Sequence, residues 1–331
     1  MRNKITLQEN IFIAGATGMV GGALKKSLIE KGYGNIKFGG KILSPTRDEL
    51  DLLNTSQVNS WFKLNKPTIT ILAAAKVGGI MANYNYPADF ILRNLKIQNN
   101  LIECAWNYKV KRFLFLGSSC IYPKLSKQPI KEEYLLEGNL EKTNEFYAVA
   151  KIAGIKLCHA LNKQYGFDAI CLMPTNLYGP GDNYNLETAH VLPALIRKFY
   201  EAKKNNSSQV VCWGDGSPYR EFLHSDDLGD AALFTLENVN KELIVNTKKG
   251  YSDFIHINVG TSEEISIRDL ALLIAQELKY EGEIKWDISK PNGTSKKRLD
   301  IRLLTDLGWR PSINFKEGIK MTIKDYAESL G

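Results

Sequence analysis

The sequence predicts an α/β fold: a doubly wound parallel sheet with a smaller α/β domain interleaved in it. Three observations predict it. Short apolar runs alternate with longer helical patterns through the first half of the chain. A glycine-rich turn joins the first apolar run to the first helical pattern. The second half breaks the alternation, yet no clean linker, internal repeat or low-complexity segment separates it.

Ile11 to Ala14 reads as a buried strand, and Met19 to Lys31 as a helix with Val20, Ala23, Leu24 and Leu28 on one face. Lys41 to Leu43 reads as a strand, Thr55 to Lys63 as a short helix capped by Thr55, and Thr70 to Ala74 as a strand. Pro87 to Trp106 and Asn144 to Tyr165 are long helical patterns flanking a strand from Arg112 to Gly117. Ala169 to Met173 is a further buried strand, after which Pro, Gly and Asn punctuate Pro174 to Asn185. Helices follow at Leu192 to Lys203, Asp226 to Glu237 and Ile267 to Leu278, with a strand at Ile255 to Val259. The tail from Trp309 ends in a helical stretch.

The 331 residues are 44% hydrophobic and 24% charged, as in an ordinary globular chain, which disfavours disorder and coiled coil. A net charge of +7 reads as a lysine-rich surface. The densest basic cluster, Lys296-Lys297-Arg298, is too short for a nucleic-acid patch. Five cysteines without a C-x-x-C pair disfavour a disulfide framework or a metal site and favour a reducing cytoplasm. No apolar run approaches the roughly 18 residues of a membrane span. Glu9, Asn10 and three glycines disqualify the first apolar stretch as a signal peptide.

Gly15-Ala16-Thr17-Gly18-Met19-Val20-Gly21 forms a G-x-x-G-x-x-G turn. Glycines there let a pyrophosphate approach a helix N-terminus, where amide N–H groups and the helix dipole favour negative charge. The same turn also serves tight packing without a ligand. Arg47, beside Asp48 after the second strand, can pair with a ribose 2′-phosphate or stand solvated. Asp51 and Leu52 can flank an adenine, and Ala73, Ala74 and Ala75 suit close passage of a cofactor.

Tyr147-Ala148-Val149-Ala150-Lys151 is a Y-x-x-x-K pair on one helix face. An ammonium near the phenol favours the phenolate, so Lys151 is expected to lower the pKa of Tyr147. Tyr147 then donates a proton to a carbonyl oxygen while hydride reaches the carbon. Leu116-Gly117-Ser118-Ser119-Cys120 ends a strand where open α/β sheets bind ligands, and Ser118 can bond the substrate oxygen beside Tyr147. Read on their own, Cys120 is a small packed residue and His190 a histidine at a helix start.

These residues resemble the GDP-L-fucose synthase family of the extended short-chain dehydrogenase/reductases, along nearly the whole chain. The telling stretches are FIAG from Phe12, AAAKVGGI from Ala73, FLGSSCIYPK from Phe115 and AVAKIAGIKLC from Ala148. MPTNLYGP from Met173, HVLPAL from His190 and REFLH from Arg220 continue it. The resemblance implies a Rossmann-type NADP-binding domain at 1–177 with 226–260, and a nucleotide-sugar domain at 178–225 with 261–331. It implies NADP(H)-dependent 3,5-epimerisation and 4-reduction of GDP-4-keto-6-deoxy-D-mannose in a cytoplasmic homodimer, with no nucleic-acid or membrane partner. Ser118, Tyr147 and Lys151 would serve the reduction; Cys120 and His190 would be the epimerising acid/base pair.

Cofactor contacts map by the same resemblance onto Gly15, Thr17, Gly18, Met19, Val20, Gly21, Arg47, Asp48 and Leu52. They continue at Ala73, Ala74, Ala75, Leu116, Gly117, Ser118, Tyr147, Lys151, Pro174, Thr175, Asn176, Leu177 and His190. Substrate contacts map onto Lys198, Trp213, Arg220, Asn292 and Lys297. The chain departs from the family at Thr17 and Lys198, each where arginine occurs, and at Asn292, where aspartate occurs. Phe146 replaces a proline, and Asn35 to Lys41 is an insertion. The changes at 198 and 292 support a second reading: a 4-keto-reductase of a related GDP-4-keto-6-deoxy sugar, such as a heptose, in surface polysaccharide synthesis. Epimerase activity would then be weak or absent.

Overall fold

The computed structural model describes residues 4–240, 243–244, 256–290 and 292–331. Its centre is a six-stranded sheet. Strands β1 (Asn10–Ala14), β2 (Lys41–Leu43), β3 (Ile69–Leu72), β4 (Arg112–Leu116) and β5 (Ala169–Pro174) carry the apolar runs. Strands β6 (Asn176–Tyr178), β7 (Gln209–Trp213), β8 (Tyr219–Arg220) and β9 (Phe222–His224) lie outside that sheet, and β10 (His256–Val259) completes it. The order is β2-β1-β3-β4-β5-β10, and every pairing is parallel. Ile255, assigned by sequence to the last of these strands, lies outside the described residues.

Helices cover both faces, which is why the inner strands are apolar on both sides. On one face, α1 (Met19–Glu30) packs against α7 (Ser225–Asn238), burying Leu24, Leu28, Leu228 and Ala231. On the other, α2 (Thr55–Asn65), α4 (Pro87–Asn107) and α5 (Glu145–Tyr165) bury Phe62, Leu101, Ile102 and Ile155 around Phe113 and Phe115. The short α3 (Ile80–Asn85) precedes α4. Each fully buried side chain of this size contributes about 1.5–3 kcal/mol against exposure. Asn54, not Thr55, caps α2: its side chain accepts from Gln57 N at 3.1 Å.

A smaller lobe follows β5. Its core unites α6 (Val191–Lys204), α8 (Ile267–Glu277) and α10 (Phe315–Ser329) through Leu195, Phe199, Ile274 and Ile319. Small sheets frame it: β6 with β9, β7 with β12 (Glu283–Asp287), and β8 between β11 (Ile265–Ser266) and β13 (Lys296–Lys297). The expected division at 261 is not a clean one. Leu299 and Ile301 pack into the core under α4 and α5, and Leu303 and Leu304 of α9 (Arg302–Asp306) into the core under α1 and α7.

The chain runs from β1 out to β2 and then back past β1 to β3, so the strand order reverses between β1 and β3. Open α/β sheets form their ligand crevice at such a point. The turn after β1 needs its glycines. Gly15 has φ +90, and a Cβ there would lie 2.7 Å from Ala74 N; one at Gly21 would lie 2.0 Å from Gly15 O. Gly21→Ala is therefore expected to destabilise the chain by about 1–3 kcal/mol and to weaken dinucleotide binding. Thermal melting and a cofactor titration check this; native behaviour in both would contradict the packing argument.

Candidate active site

One cavity of about 1190 Å³ opens over the carboxyl ends of β1, β3 and β4 and runs into the smaller lobe. That volume exceeds what one drug-sized ligand needs, and accommodates a dinucleotide together with a second nucleotide. The glycine-rich turn, Arg47, Leu52 and Ala73 to Ala75 line one end. Gly117, Ser118, Cys120, Tyr147, Pro174 to Leu177 and His190 line the middle, and Lys198, Trp213, Arg220, Asn292 and Lys297 the other end. Of the residues expected at the site, Asp48, Leu116 and Lys151 do not form its wall. Asp48 is exposed outside it. Lys151 and Leu116 stand behind the wall, where Lys151 Nζ donates to Leu116 O at 2.8 Å.

The chemistry-bearing groups converge from β4 and α5. Ser118 Oγ accepts from Cys120 N at 3.2 Å and stands near the Tyr147 hydroxyl, where it favours the phenolate. The edge of Phe90 packs against the Tyr147 ring at 6.3 Å between centroids. Lys151 Nζ lies 5.8 Å from that ring's centroid and 4.9 Å from Phe115's. Burial pushes the Lys151 ammonium down to about 8. Burial also pushes the Tyr147 phenol above its ordinary value, and a charge on Cys120 would add to that. The expected lowering of Tyr147 by Lys151 is thus reversed. The ammonium is turned to a backbone carbonyl, and desolvation of a phenolate outweighs its help. Tyr147 consequently stays protonated at neutral pH, the state a proton donor requires.

His190 presents its ring to the cleft from the start of α6, and desolvation by the surrounding protein holds its pKa below the ordinary histidine value. It is therefore neutral near pH 7 and able to accept a proton.

The far end is basic. Lys198 Nζ donates to Val211 O at 2.8 Å and sits 5.4 Å from the Trp213 ring centroid. Arg220 donates to Thr294 O at 2.6 Å and is paired in register with Lys297 across β8 and β13. Its neighbour Glu221 is fully buried and accepts from Thr261 N, Ser262 N and Leu299 N at 2.7–2.8 Å, fixing that strand. Asn292 Oδ1 accepts from Asp215 N at 3.0 Å, so its amide closes a loop as a carboxylate would.

Sequence reasoning missed further wall residues, among them Asp182 and Asn144. Asp182 lies beside the glycine turn, and burial pushes its carboxyl up to about 7; Pro180-Gly181-Asp182-Asn183 signals only a turn. Asn144 donates from Nδ2 to Cys120 Sγ at 3.2 Å; an asparagine before a helix signals only a cap. Among the described residues no cluster of metal-ligating side chains exists, and no helix is long and apolar enough to cross a membrane.

Residues 11–248 match the NAD dependent epimerase/dehydratase family. The chain belongs to that family. Along 97% of its length it is 50% identical to a putative GDP-L-fucose synthase 2 of Arabidopsis thaliana, covering 92% of that protein. It is 47% identical to the GDP-L-fucose synthase of Escherichia coli K12, covering 97% of this chain and 98% of that one. A solved GDP-D-glycero-L-gluco-heptose synthase from Campylobacter jejuni, determined in the presence of NADPH, superposes with a TM-score of 0.89. That pair is 36% identical over 98% of this chain and 99% of the other.

The family's dinucleotide fits the residues present. Gly15 and Gly21 leave no room for a Cβ, α1 begins without a side-chain cap, and the Ala73-Ala74-Ala75 run keeps the approach clear. Arg47 stands at the cavity rim in a turn held by Thr46 and Glu49, where Glu49 Oε2 accepts from Thr46 N at 2.7 Å.

The buried lysine yields a test. Its pKa is lower folded than unfolded, so its proton opposes folding in full below about pH 8. That cost fades as pH rises to the ordinary lysine range. Lys151→Met should raise the melting temperature at pH 7 by about 2–4 °C while removing reductase activity. An unchanged or lower melting temperature would contradict a desolvated ammonium there.

Proposed function

We propose that this protein is an NADP(H)-dependent epimerase/reductase that converts GDP-4-keto-6-deoxy-D-mannose to GDP-L-fucose. The observation that carries the reading is the convergence of Ser118, Tyr147, Cys120 and His190 on one cavity that joins a dinucleotide turn to a basic far end. Relatives of that name at 47–50% identity support it more strongly than the heptose enzyme at 36%.

When bound, NADPH supplies the hydride for carbon 4. The rest of the work falls to side chains. Tyr147 gives its phenolic proton to the carbonyl oxygen, and Ser118 holds that oxygen in line. A C–H beside a ketone is acidic because its electrons pass into an enolate. Cys120 and His190 serve as the pair that takes a proton from one face of carbons 3 and 5 and returns one to the other. Lys151 holds α5 against the end of β4 from behind the cavity wall. Arg47 pairs with the 2′-phosphate, Trp213 lines the guanosine pocket, and Lys198, Arg220 and Lys297 neutralise the diphosphate.

The same reading makes the six-stranded domain the NADP lobe and the smaller lobe the sugar-nucleotide lobe. The exposed apolar side chains Leu92 on α4 and Phe146 and Val149 on α5 support a homodimer through those helices. Five free thiols fit a reducing cytoplasm.

Tyr147→Phe should lower reduction at least about a thousandfold while leaving NADPH affinity within about twofold. Cys120→Ser should block entry of solvent deuterium beside the ketone. Product analysis after incubation with GDP-4-keto-6-deoxy-mannose and its heptose counterpart decides between the two substrates. Turnover of the heptose alone, with no deuterium entering, would replace this reading with a simple 4-keto-reductase.

A further inference from the structure

We propose that Asn144 is a positioning residue for the Cys120 thiol and, through its other amide atom, the acceptor for the sugar hydroxyl next to the ketone. The proposal rests on the epimerase reading above.

Asn144 occupies the N-cap of α5, yet its side chain makes no cap bond. Asparagine at such a position ordinarily accepts from an N–H of the first turn. Two others at α-helix starts do: Asn54 accepts from Gln57 N at 3.1 Å, and Asn314 from Lys316 N at 3.0 Å. Asn144 forgoes that contact, and its Nδ2 donates to Cys120 Sγ at 3.2 Å instead. A donor aimed at sulfur fixes the direction in which the Cys120 side chain points. It also ties Cys120, which follows β4, to the helix that carries Tyr147.

The second atom is as informative. Asn144 Oδ1 is shut off from solvent and has no hydrogen-bond partner among the described residues. A buried amide oxygen without a donor is rare and costly. Asn144 lines the cavity beside Cys120 and Tyr147, so a hydroxyl entering the cavity would supply that donor. The neighbouring carboxylate is already engaged: Glu141 binds Lys124 at 2.9 Å and accepts from Thr294 Oγ1 at 3.3 Å. With Nδ2 on the sulfur and Oδ1 on the hydroxyl, one amide holds the base and the carbon it deprotonates in fixed relation. The hydroxyl lies on the carbon beside the ketone, next to the C–H that exchanges.

Two variants separate the two atoms. Asn144→Asp keeps the shape and the acceptor, and caps α5 at least as well, but loses the donor. Asn144→Ala loses both. Cys120 is the accessible thiol, the other four being buried, so iodoacetamide alkylation followed by peptide mass spectrometry reads its reactivity without any sugar. At pH 7.5, alkylation should slow about tenfold in both variants. The apparent KM for GDP-4-keto-6-deoxy-mannose should rise about tenfold in Asn144→Ala and stay within about twofold in Asn144→Asp. Deuterium uptake should fall in both, while the melting temperature of Asn144→Asp stays at or above native. Native alkylation rates in both variants, or a native KM in Asn144→Ala, would overturn the proposal. Slowed alkylation in a protein that takes up no deuterium even as native would refute the epimerase reading and leave the Asn144–Cys120 contact standing.

Discussion

The active site depends on one buried bond. Lys151 Nζ, with almost no access to solvent, donates to the carbonyl of Leu116 at 2.8 Å. That bond fastens the first turns of α5 to the carboxyl end of β4. Ser118 and Cys120 follow that strand; Asn144 and Tyr147 begin that helix. Holding a cation there is costly, because burial takes it out of water with only a carbonyl dipole in return. In return the two elements are held together, so that Asn144 Nδ2 meets Cys120 Sγ and Ser118 stands near Tyr147. Burial then has a second consequence. It keeps the Tyr147 phenol protonated, above its ordinary pKa, in one cavity with the ring of His190, whose pKa lies below its own ordinary value.

The sheet and this dyad of elements were legible in the sequence because they follow strict spacings. Apolar runs of four to six residues became β1, β3, β4, β5 and β10, and Gly15 and Gly21 mark where backbone meets backbone. The i, i+4 relation of Tyr147 and Lys151 places both toward β4. The smaller lobe was less legible, since β8, β11 and β13 are two residues each and set by pairing across long separations. The return of Leu299 to Leu304 to the main cores carries no local signal either. The direction of the Tyr147 shift was misread because spacing shows that a lysine is near, not which way its ammonium turns. Asn144 and Asp182 were hidden by residue types whose commonest use is in caps and turns.

The departures on the sugar side acquire a physical meaning. Lys198 is held against Trp213 by its bond to Val211 O, and offers a point charge where a guanidinium would offer a fork. Asn292 replaces a carboxylate but preserves the loop bond to Asp215 N. Neither change touches the reacting end, which Ser118, Cys120, Tyr147 and His190 share with the expectation from the family. Both changes lie at the far end of the cavity, away from its middle, where Ser118, Cys120, Tyr147 and His190 converge.

The central claim is that a single cleft both exchanges protons beside the ketone and reduces it. The most direct measurement is product NMR after native protein is given GDP-4-keto-6-deoxy-mannose and 4-deuterated NADPH, once in H₂O and once in D₂O. The account predicts deuterium at carbon 4 alone in H₂O, and at carbons 3, 4 and 5 of GDP-L-fucose in D₂O. Deuterium confined to carbon 4 in both solvents, in a product that keeps the manno configuration, would contradict it.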